Sequence, residues 1–400
     1  MKPTAFFSKT VLAVALSGAL FPAMAADWYD AMKQTTATAA FNLRYESVDQ
    51  DNALKDADAL TLRTLVGVTT GSYKGFSLTA EMEDVRIALG QGDYSVPPTG
   101  YKAGEYSVIA DPETTELHQG FIQYKNENLT VKGGRQIIAL DGHRFVGHVG
   151  WRQDWQTFDA VTANYTTGKL SAFYGYITQR NRIFAEAADL DSKDHLLNVS
   201  YASPVGKFTG YAYLLEVDNG TDNSLDTYGI SYAGSSEMES FKLIYNAEFA
   251  TQSSDTAATS FDADYLMLEG GAVVSGFTGK VTYELLGSDN GMYGFSTPLA
   301  TLHKFNGWTD QFLTTPAQGL EDLAFTVTGP LLGGNVVVAY HQFDTDEASA
   351  EVSDLGSELD LQYVTKVMEH FTVGVKYATY SADDARVDTD KLWVWVGAKF

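Results

Sequence analysis

The sequence predicts an all-β fold: a transmembrane antiparallel up-and-down β-barrel of about eighteen strands, with sixteen left open. Three observations carry that prediction. The chain ends LWVWVGAKF, which puts Leu392, Val394, Val396, Ala398 and Phe400 on one face of a strand and Trp393, Trp395, Gly397 and Lys399 on the other. An apolar strand left at an open edge invites aggregation, so something must close over it. Closure onto the first strand turns the apolar face toward lipid. Period-two alternation then recurs along the chain, whereas no apolar run after residue 25 is long enough for a transmembrane helix. Finally, short and long links alternate, as they must when short periplasmic turns share one rim and long extracellular loops the other.

Taken in order, Met1, Lys2 and Lys9 precede an apolar run over residues 11–21, and Ala23, Met24 and Ala25 follow it. This is the pattern of a secretory signal peptide, so residues 1–25 are expected to be removed and the mature chain to be exported. Residues 26–35 form a short periplasmic segment, with one helical turn over residues 28–34, and residues 36–400 form the barrel. In the first strand Phe41, Leu43 and Tyr45 alternate with Asn42, Arg44 and Glu46. Leu60, Leu62, Thr64, Val66 and Val68 alternate with Thr61, Arg63 and Thr69 in the second, and Phe76, Leu78, Ala80 and Met82 with Ser77, Thr79, Glu81 and Glu83 in the third. The same period places strands near residues 117–124, 129–136, 157–165, 170–178, 195–201, 208–217 and 227–232. It continues at 241–249, 264–268, 277–286, 323–327, 336–343, 359–365, 371–379 and 392–400. Residues 71–75, 125–128, 166–169, 203–207, 234–237 and 329–334 read as tight turns. Longer acidic links occupy residues 90–116, 138–154, 179–194, 287–319 and 344–356.

Composition agrees. Tyr (23), Phe (22) and Gly (36) are abundant and Pro (9) is scarce, which suits strands, interfacial girdles and turns. No cysteine is present, so pairing and packing alone must stabilise an exported chain. The formal charge of -24 argues against nucleic acid as a partner. Seven scattered histidines show no HExxH spacing, and neither GxSxG nor a phosphate loop occurs, so no cofactor, metal or enzyme motif is read; a catalytic site assembled at the barrel rim is the one enzymatic alternative.

Two loop segments are more specific than the strand pattern. Residues 134–161 read GRQIIALDGHRFVGHVGWRQDWQTFDAV, and residues 297–323 read TPLATLHKFNGWTDQFLTTPAQGLEDL. With GSELDL at residues 356–361, they resemble the alginate export family of outer-membrane porins. The resemblance implies a monomeric barrel in the bacterial outer membrane, surrounded by lipid and lipopolysaccharide, whose interior passes an anionic oligo- or polysaccharide outward or inward. The final strand with its terminal Phe400 resembles the signal read by the barrel assembly machinery.

A pore for uronate sugars needs fixed positive charge, because each carboxylate sheds water on entering a constriction. Arginine supplies it with a two-pronged donor. By parity Arg44, Arg63, Lys132, Lys242, Lys280 and Lys376 share the polar face of their strands, hence the lumen. Glu46, Glu81, Glu83, Glu248, Glu284, Glu358 and Asp360 share it too, so each charge reads either as a solute contact or as half of a stiffening ion pair. Parity aims Arg135 at lipid, which would cost about 2–4 kcal/mol at the midplane, so it is placed at the rim. The loop that follows carries Arg144, Trp151 and Arg152, and a second carries His303, Lys304, Trp308 and Asp310. If these loops turn inward, their aromatic rings and charges form sugar-binding platforms; if not, they pack on themselves. A cation-preferring or nonspecific porin remains the alternative, given the mixed lumen and acidic mouth.

Overall fold

In the computed structural model, which describes residues 28–400, eighteen strands form one closed sheet. They are β1 (Thr36–Gln50), β2 (Ala57–Thr69), β3 (Phe76–Asp93), β4 (Thr114–Lys125), β5 (Leu129–Gln136), β6 (Thr157–Thr167), β7 (Leu170–Asn181), β8 (Leu190–Ser203) and β9 (Gly206–Glu216). The circuit continues through β10 (Ser224–Glu237), β11 (Lys242–Asp255), β12 (Ser260–Val274), β13 (Phe277–Leu286), β14 (Leu320–Leu331), β15 (Gly334–Asp344), β16 (Asp354–Val367), β17 (Phe371–Ser381) and β18 (Thr389–Lys399). Each strand pairs antiparallel with its sequence neighbours, and β18 pairs with β1. The count is the eighteen that the sequence predicts, not the sixteen it left open. The expected signal peptide lies outside the described residues.

The seam depends on the last residue. Phe41 sits opposite Ala398 and Arg44 opposite Trp395, and beyond this register Phe400 exchanges main-chain hydrogen bonds of 2.8 and 3.2 Å with Ala39. The Phe41 and Phe400 rings meet edge to face at 6.5 Å. Among the described residues the eighteen-stranded sheet keeps no open edge for another chain to pair with.

Alternation resolves into two surfaces. Val66, Ile122, Val161, Ile230, Phe325 and Val394 are exposed on the outer wall, whereas Arg63, Thr162, Glu284 and Lys376 are buried on the inner one. No helix among the described residues is long and apolar enough to cross a membrane.

Short turns follow the even-numbered strands on one rim, together with both chain ends; a helical turn at 28–32 lies there too. Most strands run past their expected ends, as β8 (Leu190–Ser203) and β12 (Ser260–Val274) do, and two of these differences move a link. Residues 234–237 continue β10, so its turn is 238–241, and β3 runs on to Asp93 before the long link begins. In both cases strand pairing carries the ladder past glycines that read locally as turn formers. Register shifts occur at Ala59/Thr61, Glu81/Met82, Asp159/Ala160, Ile177/Gln179 and Phe343/Asp344, and all but Glu81/Met82 lie in the half of the strand nearer the long links. Such bulges twist a strand and re-aim its side chains, and here they surround the loops that enter the barrel.

Candidate functional site

Two long links fold into the lumen and fasten to each other. The link 137–156 meets the link 287–319 through Gly147 N–H to Leu299 O (2.8 Å) and Thr301 N–H to His143 O (3.0 Å). The Gln156 amide donates to both Gly147 O (2.9 Å) and Leu299 O (3.2 Å). A third link, 94–113, contributes Asp111, whose carboxylate accepts the Gln153 N–H at 2.9 Å. Backbone taken away from water must find partners, and these segments find them in one another.

Ion pairs anchor the loops to the wall. Arg144 reaches Glu284 on β13 at 2.6 Å, with Thr297 and Asn306 each at 3.2 Å. Arg152 contacts both Glu46 oxygens at 3.0–3.2 Å on β1. Arg44 donates to Asp111 and to the Trp151 carbonyl. Between these two anchor points, Glu358 of β16 accepts the Trp308 and Thr309 backbone N–H groups and the Thr309 hydroxyl. A buried arginine that lost its carboxylate would leave an uncompensated charge, so each pair holds its loop strongly in place.

Where the loops meet, rings and charges are layered. His303 stacks on Trp151 with centroids 4.9 Å apart and planes 9° from parallel. Lys376 Nζ lies 3.7 Å from the Trp308 ring and 4.1 Å from the Trp151 ring, a cation held between two aromatic faces. It donates to His303 Nε2 at 2.8 Å, which makes Nδ1 the protonated nitrogen that donates to Asp310 at 2.7 Å. Burial first, then the Lys376 and Arg152 charges, hold His303 well below its ordinary range against the opposing pull of Asp310, so the ring is neutral. Asp310 also accepts Lys391 at 2.8 Å. Trp393 and Trp395 of β18 meet Trp151 edge to face at 5.7 and 5.4 Å. Five of the six tryptophans thus sit at or near this level, since Trp155 packs against Arg63 at 3.8 Å.

Open clefts flank the constriction. One of about 460 Å³ on the long-link side is lined by Arg152, Arg182 and Lys391 against a single carboxylate, Asp310. A second, of about 490 Å³ on the short-turn side, presents Lys132 and Lys207 against Asp141, among amides and hydroxyls such as Gln123, Asn164 and Ser171. At the short-turn mouth a third, of about 290 Å³, carries Arg63 and Lys399 with no carboxylate. Cations outnumber carboxylates in every one of them.

The residues singled out from sequence are thus distributed unevenly. Arg44, Arg144, Trp151, Arg152, His303, Trp308, Asp310 and Lys376 converge on the constriction. Arg63 is buried beside it against Glu83 at 2.5 Å. Lys132 faces the inner cleft without an ion-pair partner among the described residues, its ammonium 4.6 Å from the Phe121 ring. Lys304 donates to Gly142 O at 2.8 Å. Lys280 is paired with Glu269 at 2.7 Å and Lys242 with Glu237 at 3.2 Å, the latter at the end of its strand. Arg135 stands on the outer face near the long-link rim, doubly bonded to Asp159 at 2.8 and 3.1 Å, away from the lumen. Its position follows from Gly134, whose φ of +124° brings the backbone so close to β4 that a Cβ would lie 2.3 Å from Gly120 O. Asp111, Arg182, Lys207 and Lys391 were not anticipated. Strand parity with Trp393 would have identified Lys391, whereas the other three lie outside the readable alternation or at its edge.

A family profile described as Alginate export matches residues 33–275, which include the first loop motif and end before the second. No curated protein matches the chain. Among solved structures, OccK9 (OpdG) of Pseudomonas aeruginosa matches with a TM-score of 0.71 at 13% identity, covering 92% of this chain and 100% of that one. OccAB4 of Acinetobacter baumannii gives 0.71 at 13% identity, over 92% and 99% of the two chains. OpdK of Pseudomonas aeruginosa, solved with vanillate, gives 0.70 at 13% identity, over 91% and 98%. At such identity the likeness is one of fold. With a profile matched over more than half its length and a closed barrel whose loops narrow the lumen, the chain is an outer-membrane porin that belongs to the alginate export family.

Proposed function

We propose that this porin passively conducts an anionic, uronate-containing saccharide. The observation that carries this reading is the charge of the clefts: the chain as a whole is -24, yet the three clefts beside the constriction each hold more cations than carboxylates. A carboxylated sugar entering from either side meets guanidinium or ammonium groups that replace part of its lost hydration. Trp308 and Trp395 offer rings at the constriction for pyranose faces. OpdK, solved with vanillate, is a barrel of this fold found with a carboxylate. No step of chemistry is required; the solute follows its gradient.

One observation favours a cation-preferring pore. Glu284, Asp322, Glu358 and Asp360 form an acidic inner wall across β13, β14 and β16, and both Asp360 oxygens lack a hydrogen-bond partner. Single-channel recording separates the readings. Added oligouronates of three to six residues are expected to block the current in a concentration-dependent way, while neutral oligosaccharides of equal length block at least tenfold more weakly. Equal block by charged and neutral sugars, or none, would contradict the proposal.

A further inference from the structure

Outside the constriction, three carboxylates from three separate elements converge. Glu83 of β3, Glu116 of β4 and Asp154 at the returning end of the inward loop each offer an oxygen, all within 4.8 Å of one another. Glu83 and Asp154 are fully buried. Carboxylates concentrated this way repel unless something positive sits among them. Arg63 supplies one charge, through its contact with Glu83. Three carboxylates less one guanidinium leave a local charge of about -2, the amount one divalent cation cancels.

A second observation is independent of the clustering. Asp154 Oδ2 accepts the Ala185 N–H at 2.9 Å, but Oδ1 is sealed from water and receives no donor. A buried carboxylate oxygen left bare costs free energy, and native proteins rarely leave one. Oxygens up to 4.8 Å apart fit around one calcium ion, whose ligands lie 2.3–2.6 Å away in irregular shells of six to eight; magnesium requires a tighter octahedron. An outer notch of about 550 Å³, lined in part by Glu116, Glu186 and Asp189, gives the cluster a route to solvent.

We propose that Glu83, Glu116 and Asp154 form a calcium site that clips the inward loop to the barrel wall. Asp154 directly follows Trp151, Arg152 and Gln153, so the clip fixes the residues that contact Arg44, Glu46 and Asp111. Through Ala185 it also ties in the 182–189 link. The site is structural and independent of which solute the pore conducts.

Terbium luminescence excited through tryptophan tests the site, because Trp155 donates its backbone N–H to Glu83 at 3.4 Å and its ring lies 3.8 Å from the Arg63 guanidinium that pairs with Glu83. Chelator-treated full-length protein in detergent is titrated with Tb³⁺ and then with Ca²⁺, and calcium content is measured by mass spectrometry after desalting. Wild type is expected to hold one Ca²⁺ per chain more than Asp154→Asn or Glu116→Gln. Its Tb³⁺ emission should be displaced by Ca²⁺, with at least tenfold weaker binding in both variants and no change in Asp222→Asn, an exposed acid elsewhere. Heat-modifiable gel migration verifies folding, and Glu116→Gln, only half-buried, backs up Asp154→Asn should that variant misfold. Equal calcium content in wild type and folded variants, displacement by Mg²⁺ but not Ca²⁺, or no metal uptake would overturn the assignment; the last would mean that Asp154 and Glu116 share a proton.

Discussion

Arg144 and Lys132 are both inner-wall cations, and their surroundings give them different work. Arg144 is 6% exposed and fully engaged with Glu284, Thr297 and Asn306. Truncation to Ala strands Glu284 in a low-dielectric interior, so Arg144→Ala is expected to lower unfolding free energy in detergent by about 3–5 kcal/mol and to make single-channel current noisier as its loop loosens. Lys132 faces the inner cleft with no carboxylate partner among the described residues. Lys132→Gln should leave stability within about 0.5 kcal/mol while reducing the preference for anions. Urea melts paired with bilayer recordings check both. A stable Arg144→Ala, or a Lys132→Gln with unchanged selectivity, would show the roles to be assigned wrongly.

At the scale of the strand, β18 does two jobs: its outer face completes the lipid-facing wall and its inner face carries Trp393 and Trp395 to the constriction. The Trp395 ring lies directly over Gly374 of β17, where an added Cβ would fall 2.0 Å from a ring carbon. Gly374→Ala must therefore push the ring away, at a cost of about 1–3 kcal/mol, with red-shifted tryptophan emission and altered conductance; an unshifted spectrum would contradict this packing. Strands were the legible part of the molecule. Alternation along Phe41 to Glu46 or Trp393 to Lys399 is a local property, forced by the pleat and by opposite solvents on the two faces. Loop partners were not legible, since Arg44 meets Asp111 67 residues away and Arg144 meets Glu284 140 residues away. That the loops carried function could be read from their rings and charges. Which carboxylate each arginine takes depends on barrel curvature and bulges that no short stretch encodes. Arg135 is instructive: parity excluded it from the lumen, yet its rim position needed Gly134 and the partner Asp159 on the neighbouring strand.

Over the whole molecule, charge is sorted by location. Acidic side chains crowd the long links, as with Asp383, Asp384 and Asp388, and the sealed wall behind the inward loops, whereas the clefts beside the constriction are left positive. Net charge therefore misleads about the pore, because exposed rim charges are screened over about 8 Å at physiological salt while those in a narrow lumen are not. Reversal potential in a planar bilayer under a tenfold KCl gradient tests this sorting most directly. Conduction governed by the clefts predicts a potential of the sign set by chloride, and its magnitude should fall in Lys132→Gln. A potential of the sign set by potassium would mean that the acidic wall and rim govern permeation, and the anionic-saccharide reading would be wrong.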